Sequence, residues 1–320
     1  MNISNVKTEM QAIIGNIERV ILGKSNEVKL VLSALLAGGH VLLEDVPGTG
    51  KTMLAKALAR SFDMSFSRVQ FTPDLLPSEL TGINFYSPKT GEFTFRPGSL
   101  FANIVLGDEI NRATPRTQSG LLESMEERQI SVDGVTHPLD EPYFVIATQN
   151  PIETQGTFPL PEAQLDRFML QLSLGYPSRD ESIGIVKQNI TAAPLSSLVP
   201  VCTKEQLAAM KKASASVFIH DEVYGYMYDL AAATRSHEAV GLGVSTRGIL
   251  ALAKLAQAYA AIDGREFVTP TDIQLLLPFV FCHRIVLKGG MRNRQSAVEQ
   301  VLEEIVAEVT VPTETWKRVD

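Results

Sequence analysis

Two cysteines, Cys202 and Cys282, are all that the 320 residues contain, and they stand far apart without the paired spacing of a zinc site or a thiol redox motif. They read as small hydrophobes, and a structural disulfide is not expected. Histidine is sparse as well: His40, His137, His220, His237 and His283 form no i, i+4 pair and have no carboxylates at ligand spacing. That argues against a metal held by protein side chains alone, so any metal is expected to arrive with a phosphate. No apolar run reaches the roughly 18 residues of a membrane span. The best one, Leu30 to Leu43, is broken by Ser33, Gly38-Gly39 and His40. Met1 to Met10 lacks the basic and apolar regions of a signal peptide, and a cytoplasmic location is expected. Positive charge is in deficit too. A formal charge of -7 makes a nonspecific grip on nucleic acid a poor default, because such a grip needs many Lys or Arg contacts to phosphates. The small basic cluster Lys288, Arg292 and Arg294, beside Gly289-Gly290, reads as a solvated loop.

What is present is a 45 % apolar chain able to build a core and long enough for two domains. Apolar positions at helical spacing run from 26 to 37 (Val28, Val31, Leu32, Leu35, Leu36), and Gly38-Gly39 stops them before the short run Val41-Leu42-Leu43. Further strand-like runs follow at 67–71, 104–106, 144–147 and 169–174, with helical patterns between them at 53–62 and 117–127. Strands alternating with helices predict an α/β fold, a parallel sheet covered on both faces, with ligands at the carboxyl ends of the strands. Two hairpin signals interrupt it. One is 83–96 around Ser87-Pro88-Lys89-Thr90-Gly91, and the other is 130–137 around Asp133-Gly134. After Pro177 the rest reads as helices, near 179–189, 203–215, 221–234, 246–262, 271–281 and 296–309, with Pro270 and Pro278 as edges or kinks. The expected division is a core over 1–177 and a smaller helical domain over 178–320.

After the Val41 strand comes Asp45-Val46-Pro47-Gly48-Thr49-Gly50-Lys51-Thr52, then a helical stretch from Met53. This strand, glycine loop and helix form the Walker A arrangement. Phosphate oxygens need several backbone N–H donors converging at close range, which Gly48 and Gly50 permit, and a helix beginning near Lys51 adds partial positive charge. Lys51 is expected to reach the terminal phosphates and the Thr52 hydroxyl to ligate Mg2+, with Pro47, Thr49 and Met53 completing the loop's contact with ATP. Asp45 stands where the usual pattern has glycine. A chance glycine turn is the plain alternative, and a second motif argues against it. Ile104-Val105-Leu106-Gly107-Asp108-Glu109 is a hydrophobic strand ending in two acids, the Walker B form. Asp108 is expected to hold the magnesium through its water shell and Glu109 to act as general base toward the attacking water.

A third strand, 144–148, ends in Gln149-Asn150. Asn before Pro151 is a common turn, yet at a strand's carboxyl end the Asn150 amide can also face the γ-phosphate. Arginine can stabilise the charge that spreads over that phosphate in transfer. Arg167, before the Met169 strand, and Arg247, after Val244-Ser245-Thr246, are both candidates, and spacing alone does not choose between them.

Taken together, these residues resemble the MoxR family of AAA+ ATPases over nearly the whole chain. The most specific stretches are Gln70 to Pro77, Asp108 to Arg112, Leu122 to Arg128 and Ala147 to Pro151. The resemblance implies an α/β ATPase domain with a helical lid and assembly into a ring, usually a hexamer, with nucleotide between subunits. It makes Asn150 sensor 1, Arg167 the finger acting on a neighbour's ATP and Arg247 sensor 2 from the lid. The first hairpin would be the helix-2 insert and the second the pre-sensor-1 element. Gly23, within Ile21-Leu22-Gly23-Lys24, falls in the segment that contacts adenine, although many relatives carry glutamine at the place of Lys24, and many carry proline before the arginine equivalent to Arg247.

The leading expectation is a chaperone-like ATPase that remodels or activates proteins, which in this family are often von Willebrand factor A domain proteins. A nucleic-acid motor is the alternative, with Lys89 and Arg96 against Glu92 as a weak basic signature on the first hairpin. A small-molecule kinase shares the lysine loop but needs an acceptor pocket in place of the acidic pair and an intersubunit arginine.

Overall fold

The computed structural model describes residues 1–89, 91–150, 156–191, 194–289 and 294–312. Thr90, Pro151, Gly290 and Arg292, each part of a segment singled out above, lie outside the described residues. The chain opens with α1 (Ile3–Glu18), which begins where the Asn2 side chain accepts the Asn5 N–H at 2.8 Å. Next comes α2 (Ser25–Ala37), stopped by Gly38 in the left-handed conformation at φ 73°.

From there strands and helices alternate: β1 (Val41–Glu44), α3 (Lys51–Ser61), β2 (Phe66–Gln70), α4 (Pro77–Thr81), a hairpin of β3 (Ile83–Ser87) and β4 (Glu92–Arg96), β5 (Ile104–Asp108) and α5 (Pro115–Glu127). A second hairpin, β6 (Gln129–Val132) and β7 (Val135–Pro138), leads to β8 (Phe144–Gln149), α6 (Glu162–Leu165) and β9 (Leu170–Leu172). Strands β2, β5, β8, β1 and β9 lie in that order in one parallel sheet. Their side chains sort by parity. Val41, Leu43, Ile104, Leu106, Phe144 and Ile146 enter one core cluster, while Leu42, Val105, Val145 and Ala147 enter the other. Two buried faces explain why the inner strands β1, β5 and β8 are largely continuous apolar runs, while the edge strands β2 and β9 keep polar residues. The strand expected over 169–174 is confined to Leu170–Leu172, because Ser173 and Leu174 turn to donate hydrogen bonds to Asp45.

The smaller domain is helical: α7 (Arg179–Thr191), α8 (Lys204–Ser214), α9 (Asp221–Ser236), α10 (Thr246–Asp263), α11 (Pro270–Phe281) and α12 (Arg294–Glu308). Thr203 and Thr269 start α8 and α11 with reciprocal capping boxes to Gln206 and Asp272. Pro270 occupies the first turn of α11, where its missing N–H is harmless, and Pro278 sits inside that helix. A short antiparallel pair, β10 (Val240–Leu242) and β11 (Val286–Leu287), lies among the helices; runs this short carry no readable alternation. The long helix α10 packs on α1, α2, α8, α9 and α11, so the helical domain also rests on the chain's first two helices. Cys202 is buried and Cys282 partly so, and burial pushes both thiols up to about 12, which keeps them protonated. Among the described residues no helix is long and apolar enough to cross a membrane.

Candidate active site

β1 delivers the chain into the loop 45–50, and α3 begins at Lys51 with Gly50 as its N-cap. Gly48 and Gly50 have φ of 90° and 93°, conformations that strain any residue with a Cβ, and no atom lies within 4 Å of where a Cβ would sit. Pro47 and Gly48 are exposed, while Thr49, Thr52 and Met53 are half-buried, Met53 against the main core. The Thr49 hydroxyl donates to the Val46 carbonyl at 3.4 Å. Lys51 Nζ donates to the carbonyls of Asp45 and Val46 at 2.9 and 3.3 Å, so its ammonium lies folded over the loop.

The departure at Asp45 has a structural reason. Its buried carboxylate accepts from the Ser173 hydroxyl at 2.7 Å, the Leu174 N–H at 2.6 Å and the Gly175 N–H at 3.0 Å. Glycine here would leave those donors unmet; aspartate ties the start of the loop to the segment between β9 and α7. Gly23 has φ 73°, and a Cβ on it would lie 1.7 Å from Glu181 Oε1. The Glu181 side chain can swing aside, so the positive φ is what favours glycine there, and the neighbouring Lys24 pairs with Glu27 at 3.7 Å.

Asp108 ends β5, and Glu109 follows in the left-handed region at φ 57°, ψ 51°, a conformation costing a non-glycine residue on the order of 1 kcal/mol. Thr148 holds both acids. Its hydroxyl donates to Asp108 Oδ1 at 2.7 Å and accepts the Glu109 N–H at 2.9 Å. Asp108 Oδ2 accepts from Arg68 Nη2 at 2.7 Å, and Glu109 Oε2 accepts the Gln70 amide at 2.8 Å, with Arg112 Nη1 3.2 Å away. Asn150 is buried directly after β8, whose Gln149 is in register with Glu44 of β1. Lys51, Asp108, Glu109 and Asn150 thus leave the carboxyl ends of three adjacent strands. Arg68, Gln70 and Thr148 receive no role from the sequence: Gln70 and Thr148 fall in stretches that carry the family resemblance, and Arg68 is a polar residue in the middle of the mixed strand β2. The Thr52 hydroxyl and the Asp108 carboxylate are hard oxygen donors of the kind magnesium takes with phosphate oxygens and water, although both Asp108 oxygens here are engaged by Thr148 and Arg68. Among the described residues no group of three His, Cys, Asp or Glu could hold a metal alone.

Arg167 and Arg247 are elsewhere. They come together at the opposite, amino-terminal end of β1, around a cavity of about 250 Å³ that Gly39, Arg128 and Lys254 also line. Arg167 donates to the Leu122 carbonyl at 2.6 Å, its Nη2 lies 3.2 Å from the Glu126 carboxylate, and Arg247 pairs with the other oxygen of the same carboxylate. The lining carries Arg128, Arg167, Arg247, Arg284 and Lys254 against Glu126 and Asp166, a basic surplus in a chain that is acidic as a whole. The structure therefore brings the two candidate arginines to each other and not to the glycine loop of the chain.

Residues 40–170 match the profile of the ATPase family associated with various cellular activities (AAA), and residues 232–305 match the AAA lid domain. The chain is 48 % identical over 301 residues to the uncharacterized Bacillus subtilis protein YeaC, covering 94 % of each. It is 36 % identical over 312 residues to Mycobacterium tuberculosis chaperone MoxR1, covering 95 % of this chain and 82 % of that one. With protein MoxR of Paracoccus denitrificans the identity is 30 % over 339 residues, covering 97 % of this chain and 98 % of the relative. A crystal structure from Cytophaga hutchinsonii, described as a candidate ATPase, superposes with a TM-score of 0.88 at 33 % identity, covering 97 % of this chain and 96 % of that one.

Proposed function

The chain belongs to the ATPase family associated with various cellular activities, and from that premise we propose that it hydrolyses Mg-ATP at sites completed between subunits, within a MoxR-like ring that remodels partner proteins. The observation that carries the reading is the convergence of Lys51, Asp108, Glu109 and Asn150 at the carboxyl ends of β1, β5 and β8. The backbone N–H groups of the Gly48–Gly50 turn and the Lys51 ammonium take the phosphates, Lys51 leaving its two loop carbonyls to do so. Thr52 and Asp108 hold magnesium, which when bound supplies positive charge against the phosphate oxygens. Glu109, set by its left-handed backbone and by Thr148, receives the proton of the attacking water, and Asn150 orients that water. Gly23 lies on the adenine side.

Arg167 and Arg247 act on the ATP of a neighbour. Their place at the amino-terminal end of β1 supports this, since a subunit stacked head to tail meets that end with its own glycine loop. Closed head-to-tail stacking gives a ring, with a hexamer as the proposed size. Remodelling is supported by the 36 % identical relative named a chaperone and by two hairpins with exposed apolar side chains, among them Phe85, Tyr86, Phe93 and Val135. Proteins carrying von Willebrand factor A domains are the proposed class of partner, on the MoxR resemblance.

Phosphate release from Mg-ATP across a range of protein concentrations tests the proposal, with ATP binding measured alongside. Turnover per subunit should rise with concentration. Glu109→Gln and Arg167→Ala should each keep ATP binding while losing about 100-fold and about 1,000-fold in rate, the ranges for a general base and an arginine finger. Normal turnover by Arg167→Ala at every concentration would leave the intersubunit site without its finger and overturn the reading.

A further inference from the structure

We propose that Arg284 is a positioning residue for this composite site: it clamps the segment bearing Arg167 onto the helical domain, so that Arg167 and Arg247 move as one unit. The inference rests on the reading of Arg167 as a group acting on a neighbour's nucleotide. Arg284 follows α11 and is 5 % exposed, and its guanidinium spends most of its donors on the residues that flank Arg167, with Nη1 also 2.7 Å from His283 Nε2. Nε donates to Asp166 Oδ1 at 2.6 Å, Nη2 to the carbonyls of Asp166 and Phe168 at 3.1 and 2.7 Å, and Nη1 to the Met169 carbonyl at 3.3 Å and to the Val280 carbonyl. His283 adds a contact at 3.1 Å to the Phe168 carbonyl.

The same Asp166 carboxylate accepts the hydroxyl of Ser245 at 3.3 Å, and Ser245 is the N-cap of α10, two residues before Arg247. Asp166 is therefore held from two separate elements of the helical domain. Arg167 lies next to it in the chain, and Arg247 meets Arg167 again through Glu126. The pair is braced at its backbone roots by Arg284 and Ser245 and at its tips by Glu126.

A buried charge is poor evidence for stability, because a well-packed apolar group of similar shape often serves as well. A planar fork with fixed donor directions does something an apolar group cannot, since it sets backbone carbonyls at defined places around one point. Lysine, with a single ammonium, cannot satisfy the same set. Rotation of the helical domain would carry both arginines toward or away from the neighbouring subunit together.

The test is a double-mutant cycle in the full chain: Arg284→Lys, Arg167→Ala and the double variant, each measured for kcat at saturating protein, for ATP affinity and for Tm. A misplacement of about 1 Å costs on the order of 100-fold, so Arg284→Lys should lower kcat by about 10- to 100-fold with ATP affinity within about twofold. Combined with Arg167→Ala it should add no further loss. If Arg284→Lys fails to fold, Asp166→Asn removes the charge the fork grips while keeping its shape, and the same cycle applies. Additive losses, a kcat equal to wild type, or a loss that follows ATP affinity and Tm would overturn the clamp. Should Arg167→Ala itself keep full turnover, the intersubunit reading falls and the clamp with it; should Arg167→Ala lose turnover while Arg284→Lys does not, the clamp alone falls.

Discussion

Both ring nitrogens of His40 are occupied: Nδ1 accepts the Val145 N–H and Nε2 donates to the Met125 carbonyl, each at 3.0 Å. The residue pins the start of β1 to the end of α5 and the start of β8, beside the cavity where the arginines meet. Burial, helped by the positive charge of Arg128, holds its pKa down to about 3 from the ordinary 6.5. Because the folded value lies below the unfolded one, the unfolded chain takes up the proton first as pH falls. The stability His40 contributes is whole above the unfolded pKa and is withdrawn between about 6.5 and about 3, with about 2 kcal/mol gone at pH 5. His283 is buried neutral and pushes in the same direction. Chemical denaturation at pH 7.5 and 5 should therefore show wild type losing more stability on acidification than His40→Gln, by about 2 kcal/mol. Equal slopes would remove His40 from the account.

The two hairpins form one surface. The Asn84 amide donates to the Asp133 carboxylate at 2.9 Å, and the rings of Phe95 and His137 stack at 3.8 Å. Asp133 and Gly134, at φ 51° and 79°, adopt the two positive values of a type I′ turn, which matches the twist of the strands they join. Tyr86 and Phe93 lie against each other at the far hairpin, and Phe93 is 73 % exposed. Exposed aromatics on a projecting ribbon suit a transient grip on an unfolded chain, which offers apolar side chains and free backbone. Phe93→Ser should weaken binding of a permanently unfolded polypeptide about tenfold, the worth of one aromatic contact, with Tm unchanged. Unchanged affinity would move the proposed client surface off this element.

Across the whole molecule, the glycine loop and the arginine pair sit at opposite ends of β1, so on the proposed reading each chain would carry two halves of different sites. The proposed head-to-tail ring predicts complementation. Glu109→Gln subunits keep their arginines and Arg167→Ala subunits keep their base, so mixing the two inactive variants equally should restore about one quarter of the sites. No recovery would mean that Arg167 serves its own subunit. The parallel sheet is legible in the sequence, because apolar runs, glycine stops and strand-end acids act over a few residues of backbone. For the same reason spacing alone places Lys51, Asp108 and Glu109 on strand ends. The partners of Asp45, the Thr148 hydroxyl between the two acids, and the Arg284 clamp are not legible there. Asp166 and Arg284 are 118 residues apart, and no local periodicity records a pair that only packing brings together. By itself the sequence determined the strands, glycine loop and helices of the sheet and most helices after it, since propensity and periodicity are local, while α1, α4 and the short pair β10 and β11 went unread. Only the tertiary structure decided that Arg247 joins Arg167 at the amino-terminal end of the sheet, because that depends on how the helical domain docks on α1, α2 and the segment before β9.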